Sequence, residues 1–152
     1  MTNKTVVLGV GNLLLTDDGV GIHAIRALEQ IPDLPEGVEL VDGGTAGLNL
    51  LSYLEGIDRL IIIDAIQSSD PPGTIRRFAG EQVPAYFAMK ISPHEITLPD
   101  FLAAAKLRDL YPGEVVVWGI KAESLDIGIE LSPPLAAQFD RLVANVHREI
   151  LN

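Results

Sequence analysis

A continuous apolar stretch decides the fold of this chain: RLIIID, at residues 59–64. Residues 60–63 are all large and branched, and a run without polar alternation is typical of a strand that is buried on both faces. Strands of this kind occur in parallel sheets that are covered by helices on both sides. We therefore predict that residues 59–64 form the central strand of an α/β domain and that Asp64 ends this strand.

Other strand-like segments lie on either side of this stretch. KTVVLG at residues 4–9, VELV at 38–41 and EVVVWG at 114–119 predict further strands. TIRRF at 74–78 is more polar and predicts a strand at or near an edge, which could run antiparallel. DGGTAG at residues 42–47 predicts a loop, because it is too rich in glycine for a strand interior. The sequence thus predicts a twisted, mostly parallel sheet of five strands.

Helical patterns alternate with these strands. The first begins after Asp18, and others are predicted at about residues 48–54, at about 98–110 and from Ser132 to the end of the chain. Residues 79–93 are predicted to be irregular. The apolar stripe of the first helix comprises Val20, Ala24, Ala27, Leu28 and Ile31. Alternating strands and helices predict an α/β fold with helices on both faces of the sheet.

The composition restricts the possible functions. A length of 152 residues predicts a single domain over residues 1–152. No apolar run approaches the roughly 18 residues of a membrane span, and the N-terminus lacks the apolar stretch of a signal peptide. A net charge of -10, from 21 acidic and 11 basic residues, opposes binding to nucleic acids and anionic membranes. We therefore expect a cytoplasmic protein that binds neither.

Candidate functional residues follow the strands, because ligands of parallel sheets bind beyond the carboxyl ends of the strands. Asp17 and Asp18 follow the first strand, Asp64 ends the third, and His94 lies in a loop. Each has an ordinary explanation: helix capping for at least one of the adjacent aspartates, loop capping for Asp64, and a plain loop position for His94. The alternative is a cation site. Since the chain has no cysteine, two carboxylates and an imidazole would suit zinc, nickel or iron.

The glycines of GVG, at residues 9–11, suggest a different possibility, the binding of a dinucleotide. The third glycine of that fingerprint would fall at Leu14, however, and Asp17 and Asp18 would repel a phosphate. This mismatch counts against a non-catalytic nucleotide-binding module, which we keep as an alternative. Nucleophilic catalysis has no support either, since the chain has no Gly-x-Ser-x-Gly motif and no cysteine.

Four motifs resemble the signatures of one known family, in the same order along the chain. They are GVGNLLLTDDGVG at residues 9–21, DGGTAG at 42–47, IDA at 63–65 and KISPH at 90–94. The chain resembles the hydrogenase maturation peptidases over about residues 4–150. The resemblance implies a cytoplasmic endopeptidase that removes a C-terminal extension from the large-subunit precursor of a nickel-iron hydrogenase after nickel has been inserted.

The resemblance also implies the roles of individual residues. The family's three metal ligands, which are also its catalytic residues, carry over onto Asp18, Asp64 and His94, although relatives often have glutamate at the first position. A segment near the site, associated with substrate recognition, comprises Asp42, Gly43, Gly44 and Thr45. The resemblance thus implies an aspartyl-type or metal-dependent peptidase without a cofactor-binding site of its own.

The resemblance further implies that the metal belongs to the substrate. By resemblance, the side chains of the peptidase would contact nickel that the substrate already holds, and cadmium or zinc could replace it in the isolated protein. The expected partner is the hydrogenase large-subunit precursor, and a monomer is expected. A self-contained zinc metallohydrolase on the same fold is the alternative to this interpretation.

Overall fold

Five strands form one sheet in the computed structural model, which describes residues 4–44, 55–89, 91 and 112–152. The strands are β1 Thr5–Val10, β2 Val38–Gly44, β3 Arg59–Ile66, β4 Ile75–Ala79 and β5 Glu114–Lys121. Their order across the sheet is β2-β1-β3-β5-β4. All neighbouring strands are parallel except β4 and β5, which are antiparallel. The predictions of a central strand at residues 59–64 and of an antiparallel edge strand are therefore confirmed.

Within the described residues, three helices and two short 3-10 turns pack around this sheet. The helices are α1 Val20–Leu28, α2 Val83–Met89 and α3 Pro133–Leu151, and the 3-10 turns are Thr16–Gly19 and Gly80–Gln82. Helices α1 and α3 contribute to the core on one face of the sheet, and α2 contributes to the core on the other. The predicted α/β fold with helices on both faces is thus confirmed. Within the described ranges, no helix combines the length and apolarity that a bilayer crossing requires.

Strand β3 contributes to both cores because its side chains alternate between the two faces. Leu60, Ile62 and Ile66 pack on the α2 side, and Ile61 and Ile63 pack on the side of α1 and α3. Each of these five side chains is fully buried. The strand continues beyond Asp64 to Ile66, so the prediction that Asp64 ends it is wrong, and this carboxylate lies inside the strand.

The helices differ from the sequence prediction in detail. In α1, Ala27 is half-buried and Ile31 lies beyond the end of the helix, whereas Ile22 and Ile25 belong to the core. Ile31 still packs against the core, and the other predicted stripe residues except Ala27 are fully buried, so the stripe is largely confirmed. Helix α3 has the predicted apolar side, with four fully or almost fully buried side chains. They are Leu135, Leu142, Val146 and Ile150.

Two further predictions are wrong. Asp42, Gly43 and Gly44 extend β2 instead of forming a loop. A Cβ atom at Gly43 would lie 2.6 Å from Leu8 Cδ1 and 2.9 Å from Gly9 O, so here glycine permits close packing against β1 rather than breaking the strand. Residues 80–89, predicted to be irregular, form a 3-10 turn followed by α2.

The start of the α2 region explains why it was missed. The Gln82 side chain accepts a hydrogen bond from the Ala79 amide at 3.1 Å, and Gly80 has a φ of 56°. The helix that follows has seven residues, which is less than two full turns and too short to display a 3.6-residue period. The helices predicted at about residues 48–54 and 98–110 lie outside the described residues.

Candidate active site

Asp18 is held beside the carboxyl end of β1 by a close approach of the backbone. The chain leaves β1 through Gly11, whose φ is 130°, and a Cβ atom there would lie 1.8 Å from Asp18 O. Only glycine fits this position. The amide of Asn12 then donates a hydrogen bond to Asp18 Oδ2 at 3.0 Å. With 2% of its surface exposed, Asp18 is a buried carboxylate beyond the carboxyl end of β1.

Asp64 lies on the neighbouring strand, on the face that α2 covers. It follows Leu60 and Ile62 at the two-residue period of β3 and is 1% exposed. The hydroxyl of Tyr86, in α2, donates a hydrogen bond to Asp64 Oδ2 at 2.7 Å. A buried carboxylate is costly unless polar groups compensate its charge, and Tyr86 supplies one such group.

Tyr86 links the two carboxylates electrostatically. Its side chain is fully buried, with the ring packed against Phe78 and Phe87 at centroid distances of 6.0 and 5.2 Å. Burial, the negative charge of Asp64, the hydrogen bond to Asp64 and the charge of Asp18 all raise the pKa of Tyr86 well above its ordinary value. The hydroxyl therefore stays protonated at neutral pH and acts as a donor. Both carboxylates act on this one hydroxyl.

Sequence analysis did not identify Tyr86. The signal available was weak: one hydroxyl-bearing aromatic residue within the apolar run VPAYFAM, at residues 83–89. A buried tyrosine usually finds a hydrogen-bond partner, so such a run could have suggested that the hydroxyl meets a polar group of the sheet. Nothing in the local sequence indicates that the partner is Asp64, which lies 22 residues away.

Asp17, adjacent to Asp18, has a different role. Its Oδ1 accepts a hydrogen bond from the Ser132 amide, and its Oδ2 accepts from the Glu123 and Ser124 amides and from the Ser132 hydroxyl, all within 2.9 Å. The residue is fully buried. Neither the 3-10 turn Thr16–Gly19 nor α1 has a side-chain capping bond, so the capping interpretation is wrong for Asp17. This carboxylate joins the segment after β1 to the segment between β5 and α3.

Comparison with known proteins identifies the family. The model of the hydrogenase maturation protease family matches residues 22–149. The chain is 43% identical over 144 residues to the hydrogenase 2 maturation protease of Escherichia coli strain K12. The aligned region covers 94% of this chain and 88% of that protein. This chain belongs to the hydrogenase maturation protease family.

Solved structures agree with this assignment. The hydrogenase maturating endopeptidase HybD from E. coli is 42% identical, with a TM-score of 0.86 over 94% of this chain and 89% of that one. The NiFe hydrogenase maturation protease HybD from Thermococcus kodakarensis is 30% identical, with a TM-score of 0.81. The match covers 97% of this chain and 99% of that one. As a maturation protease, the chain is a peptidase and hence a hydrolase, as the four motifs predicted. This result disfavours the non-catalytic nucleotide-binding module.

The remaining residues predicted for the protease site are only partly described. Asp42 is exposed near the end of β2, where it pairs in register with Gly9 of β1, and Gly43 is buried beside it. Asp42 therefore lies at the carboxyl ends of the parallel strands, where β1 leads into the turn that carries Asp18. Thr45 and His94 lie outside the described residues. Their assignments remain predictions.

The described part of the maturation protease supplies carboxylate oxygens as ligands for a cation. Within residues 4–44, 55–89, 91 and 112–152, no group of three histidine, cysteine, aspartate or glutamate side chains is close enough to hold a metal ion. Asp18 and Asp64 are two buried carboxylates on adjoining segments, and carboxylate oxygens bind divalent transition metals. A third ligand would have to come from elsewhere.

Proposed function

We propose that this protease removes a C-terminal extension from the large-subunit precursor of a nickel-iron hydrogenase after nickel has been inserted. In this proposal Asp18, Asp64 and His94 contact the nickel that the precursor carries, so that cleavage depends on a loaded precursor. The observation that carries the proposal is the pair of buried carboxylates on adjoining segments, Asp18 and Asp64, the second of which accepts a hydrogen bond from the Tyr86 hydroxyl.

The chemistry of these residues supports a cation from the substrate rather than a resident one. Structural zinc sites commonly use thiolates, and this chain has no cysteine. A site with two carboxylates, and with His94 as the proposed third ligand, suits a divalent transition metal with open positions. Nickel brought by the precursor fits such an incomplete site, and cadmium or zinc could substitute for it when added to the isolated protein. Membership of the hydrogenase maturation protease family supports the precursor as partner.

The proposed mechanism assigns a task to each side chain. Asp18 and Asp64 would orient the precursor by binding its nickel, and one of the two would receive a proton from the attacking water and pass it to the leaving amine as the peptide bond breaks. The substrate's nickel supplies a Lewis acid next to the scissile carbonyl. Tyr86 is a positioning residue: its hydroxyl holds Asp64 Oδ2 at 2.7 Å and thereby fixes the orientation of that carboxylate.

Comparing loaded and unloaded precursor tests the proposal. Purified protein is incubated with nickel-loaded and nickel-free large-subunit precursor, and cleavage is followed by the change in precursor mass. We expect cleavage of the loaded form only. Equal cleavage of both forms would contradict the role of nickel, and cleavage of neither would contradict the proposed substrate. Two variants serve as inactive controls. Asp64→Asn keeps the approximate size of the side chain, and His94→Ala removes the imidazole.

Metal analysis of the isolated protein separates this proposal from a self-contained zinc metallohydrolase. We expect the purified chain to hold no stoichiometric metal, because in this proposal nickel enters the site only as part of the bound precursor. Stoichiometric, tightly held zinc would favour the metallohydrolase. We further propose that the protein acts as a monomer in the cytoplasm. Sedimentation of the purified protein tests the first statement, and cell fractionation tests the second.

A further inference from the structure

Three exposed aliphatic side chains lie on the two loops beside the candidate active site. Leu14 is 62% exposed, Ile127 is 91% exposed and Ile129 is 69% exposed. Among the described residues one other large apolar side chain is strongly exposed, Leu151 at 57%, near the end of α3. A single exposed aliphatic residue is ordinary, whereas several gathered on one surface indicate a contact with another molecule.

Backbone hydrogen bonds bring the three residues together. The Gly128 amide donates to Leu14 O at 2.9 Å, the Thr16 amide donates to Gly128 O at 2.9 Å, and Leu15 pairs with Gly128 in a parallel bridge. These bonds place Leu14 next to the segment that carries Ile127 and Ile129. We call these three side chains the apolar rim.

The apolar rim is held in place by Asp17. The Asp17 carboxylate accepts hydrogen bonds from the Glu123 and Ser124 amides and from Ser132, which lie on either side of residues 127–129. The Thr16 hydroxyl also donates to Asp126 O. Because both loops are fixed by buried hydrogen bonds, the rim is formed before any partner binds and loses little conformational freedom on binding.

The rim adjoins the candidate site along the chain. Leu14 lies between Asn12, whose amide binds Asp18 Oδ2, and Asp18 itself. Since Asp18 and Asp64 are at most 2% exposed, a polypeptide that reaches them must lie against the segments that surround them, and residues 12–16 form one of these segments. A protein substrate of this site therefore meets the rim.

We propose that Leu14, Ile127 and Ile129 form the docking surface for apolar side chains of the hydrogenase large-subunit precursor, next to the bond that is cleaved. This inference rests on the proposed function. The three side chains carry no charge, and the chain has a net charge of -10, so apolar contacts give the precursor an attachment that does not depend on opposite charge. Contacts of this kind act on substrate and transition state alike, and they therefore set KM rather than kcat.

Kinetics of serine variants test the docking surface. Ile127→Ser and Leu14→Ser each remove exposed apolar area without touching the core, and we expect each to raise KM for the nickel-loaded precursor by about three- to tenfold. The combined variant of all three positions should raise it further. Leu151→Ser is the matched control, because it removes a similarly exposed aliphatic side chain from the end of α3. It should leave KM unchanged.

Three outcomes would overturn the docking surface. The first is wild-type KM in the combined variant, and the second is an equal rise in KM for Leu151→Ser. In the third, wild type is a dimer and the rim variants are monomers with unchanged KM, in which case the rim contacts a second copy of the chain. Failure of the proposed function is distinguishable, because in that case wild type itself does not cleave the loaded precursor.

Discussion

Asp17 and Asp18 are adjacent, both are buried, and their surroundings give them opposite roles. Asp17 accepts four hydrogen bonds from Glu123, Ser124 and Ser132, and its two oxygens are engaged by donors more than 100 residues away. Asp18 accepts a bond from the nearby Asn12 amide, and its charge, together with that of Asp64, raises the pKa of Tyr86. Burial alone therefore does not identify a functional carboxylate. The four hydrogen bonds that the Asp17 carboxylate accepts mark it as a structural anchor.

The largest effect on stability is expected at Asp17. Asp17→Asn replaces one acceptor oxygen with an amide nitrogen that faces backbone N–H groups, so several buried bonds to a charged acceptor are lost together. We expect the free energy of unfolding to fall by about 3–5 kcal/mol, as measured by urea denaturation. The folded fraction should still cleave precursor. A loss of less than about 1 kcal/mol would remove the distinction between an anchor and a functional carboxylate.

A smaller effect, confined to the candidate site, is expected at Tyr86. Tyr86→Phe removes the hydroxyl that binds Asp64 and keeps the ring between Phe78 and Phe87. We expect kcat for the loaded precursor to fall by about tenfold with KM nearly unchanged, since loss of such a partner of a metal ligand commonly costs 10–100-fold.

Phe78→Leu is the control for Tyr86→Phe, because it disturbs the packing of the Tyr86 ring and leaves the hydroxyl in place. We expect it to lower the free energy of unfolding by about 1–3 kcal/mol and to leave kcat near the wild-type value. If the two variants lowered kcat equally, Tyr86 would be a packing residue only.

The smallest effect concerns Glu149, a third carboxylate that resembles Asp17 in being fully engaged. It is buried in α3, where it accepts two bonds from Arg77, at 2.6 and 3.1 Å, and one from Trp118 at 3.2 Å. The hydrogen bond from Arg77 is the main cause that lowers the pKa of Glu149 below its ordinary value. A lowered pKa stabilises the fold above the ordinary pKa of the group, and this contribution is lost as the pH falls through the lowered value.

Arg77→Met should therefore reduce the free energy of unfolding at pH 7 by about 1 kcal/mol, a modest value because the arginine side chain is 43% exposed. The difference from wild type should shrink as the pH falls below the ordinary pKa of glutamate and should disappear once the pH is below the lowered pKa of Glu149, where this carboxyl is protonated in both proteins. Urea denaturation at several pH values measures it. A difference that persists unchanged in acid would mean that Arg77 contributes through packing rather than through the charge of Glu149.

The parts of the fold that depend on local pattern could be predicted from the sequence. The apolar run at residues 60–63 predicted the central strand, and the polar sequence of residues 74–78 predicted the antiparallel edge. Glycine was misinterpreted at Gly43, because its role there is a close contact with Leu8 and not a turn. Such a contact depends on the neighbouring strand and has no local signal.

The candidate site was predictable to the same extent. Strand-end reasoning located Asp18 and Asp64, although the second lies inside β3 and not at its end. The roles of Asp17 and Tyr86 depend on partners 106–115 and 22 residues away, which no motif indicates. His94 and Thr45 were assigned by resemblance to the family and remain predictions.

The most direct test of this account compares Asp18→Asn with wild type in one experiment that measures both stability and cleavage. Asp18→Asn keeps the size of the side chain and removes its charge, and we expect cleavage of the nickel-loaded precursor to fall by at least about a hundredfold while the free energy of unfolding changes by less than about 1 kcal/mol. Asp18→Asn that unfolds as readily as Asp17→Asn, or that cleaves at the wild-type rate, would contradict the account.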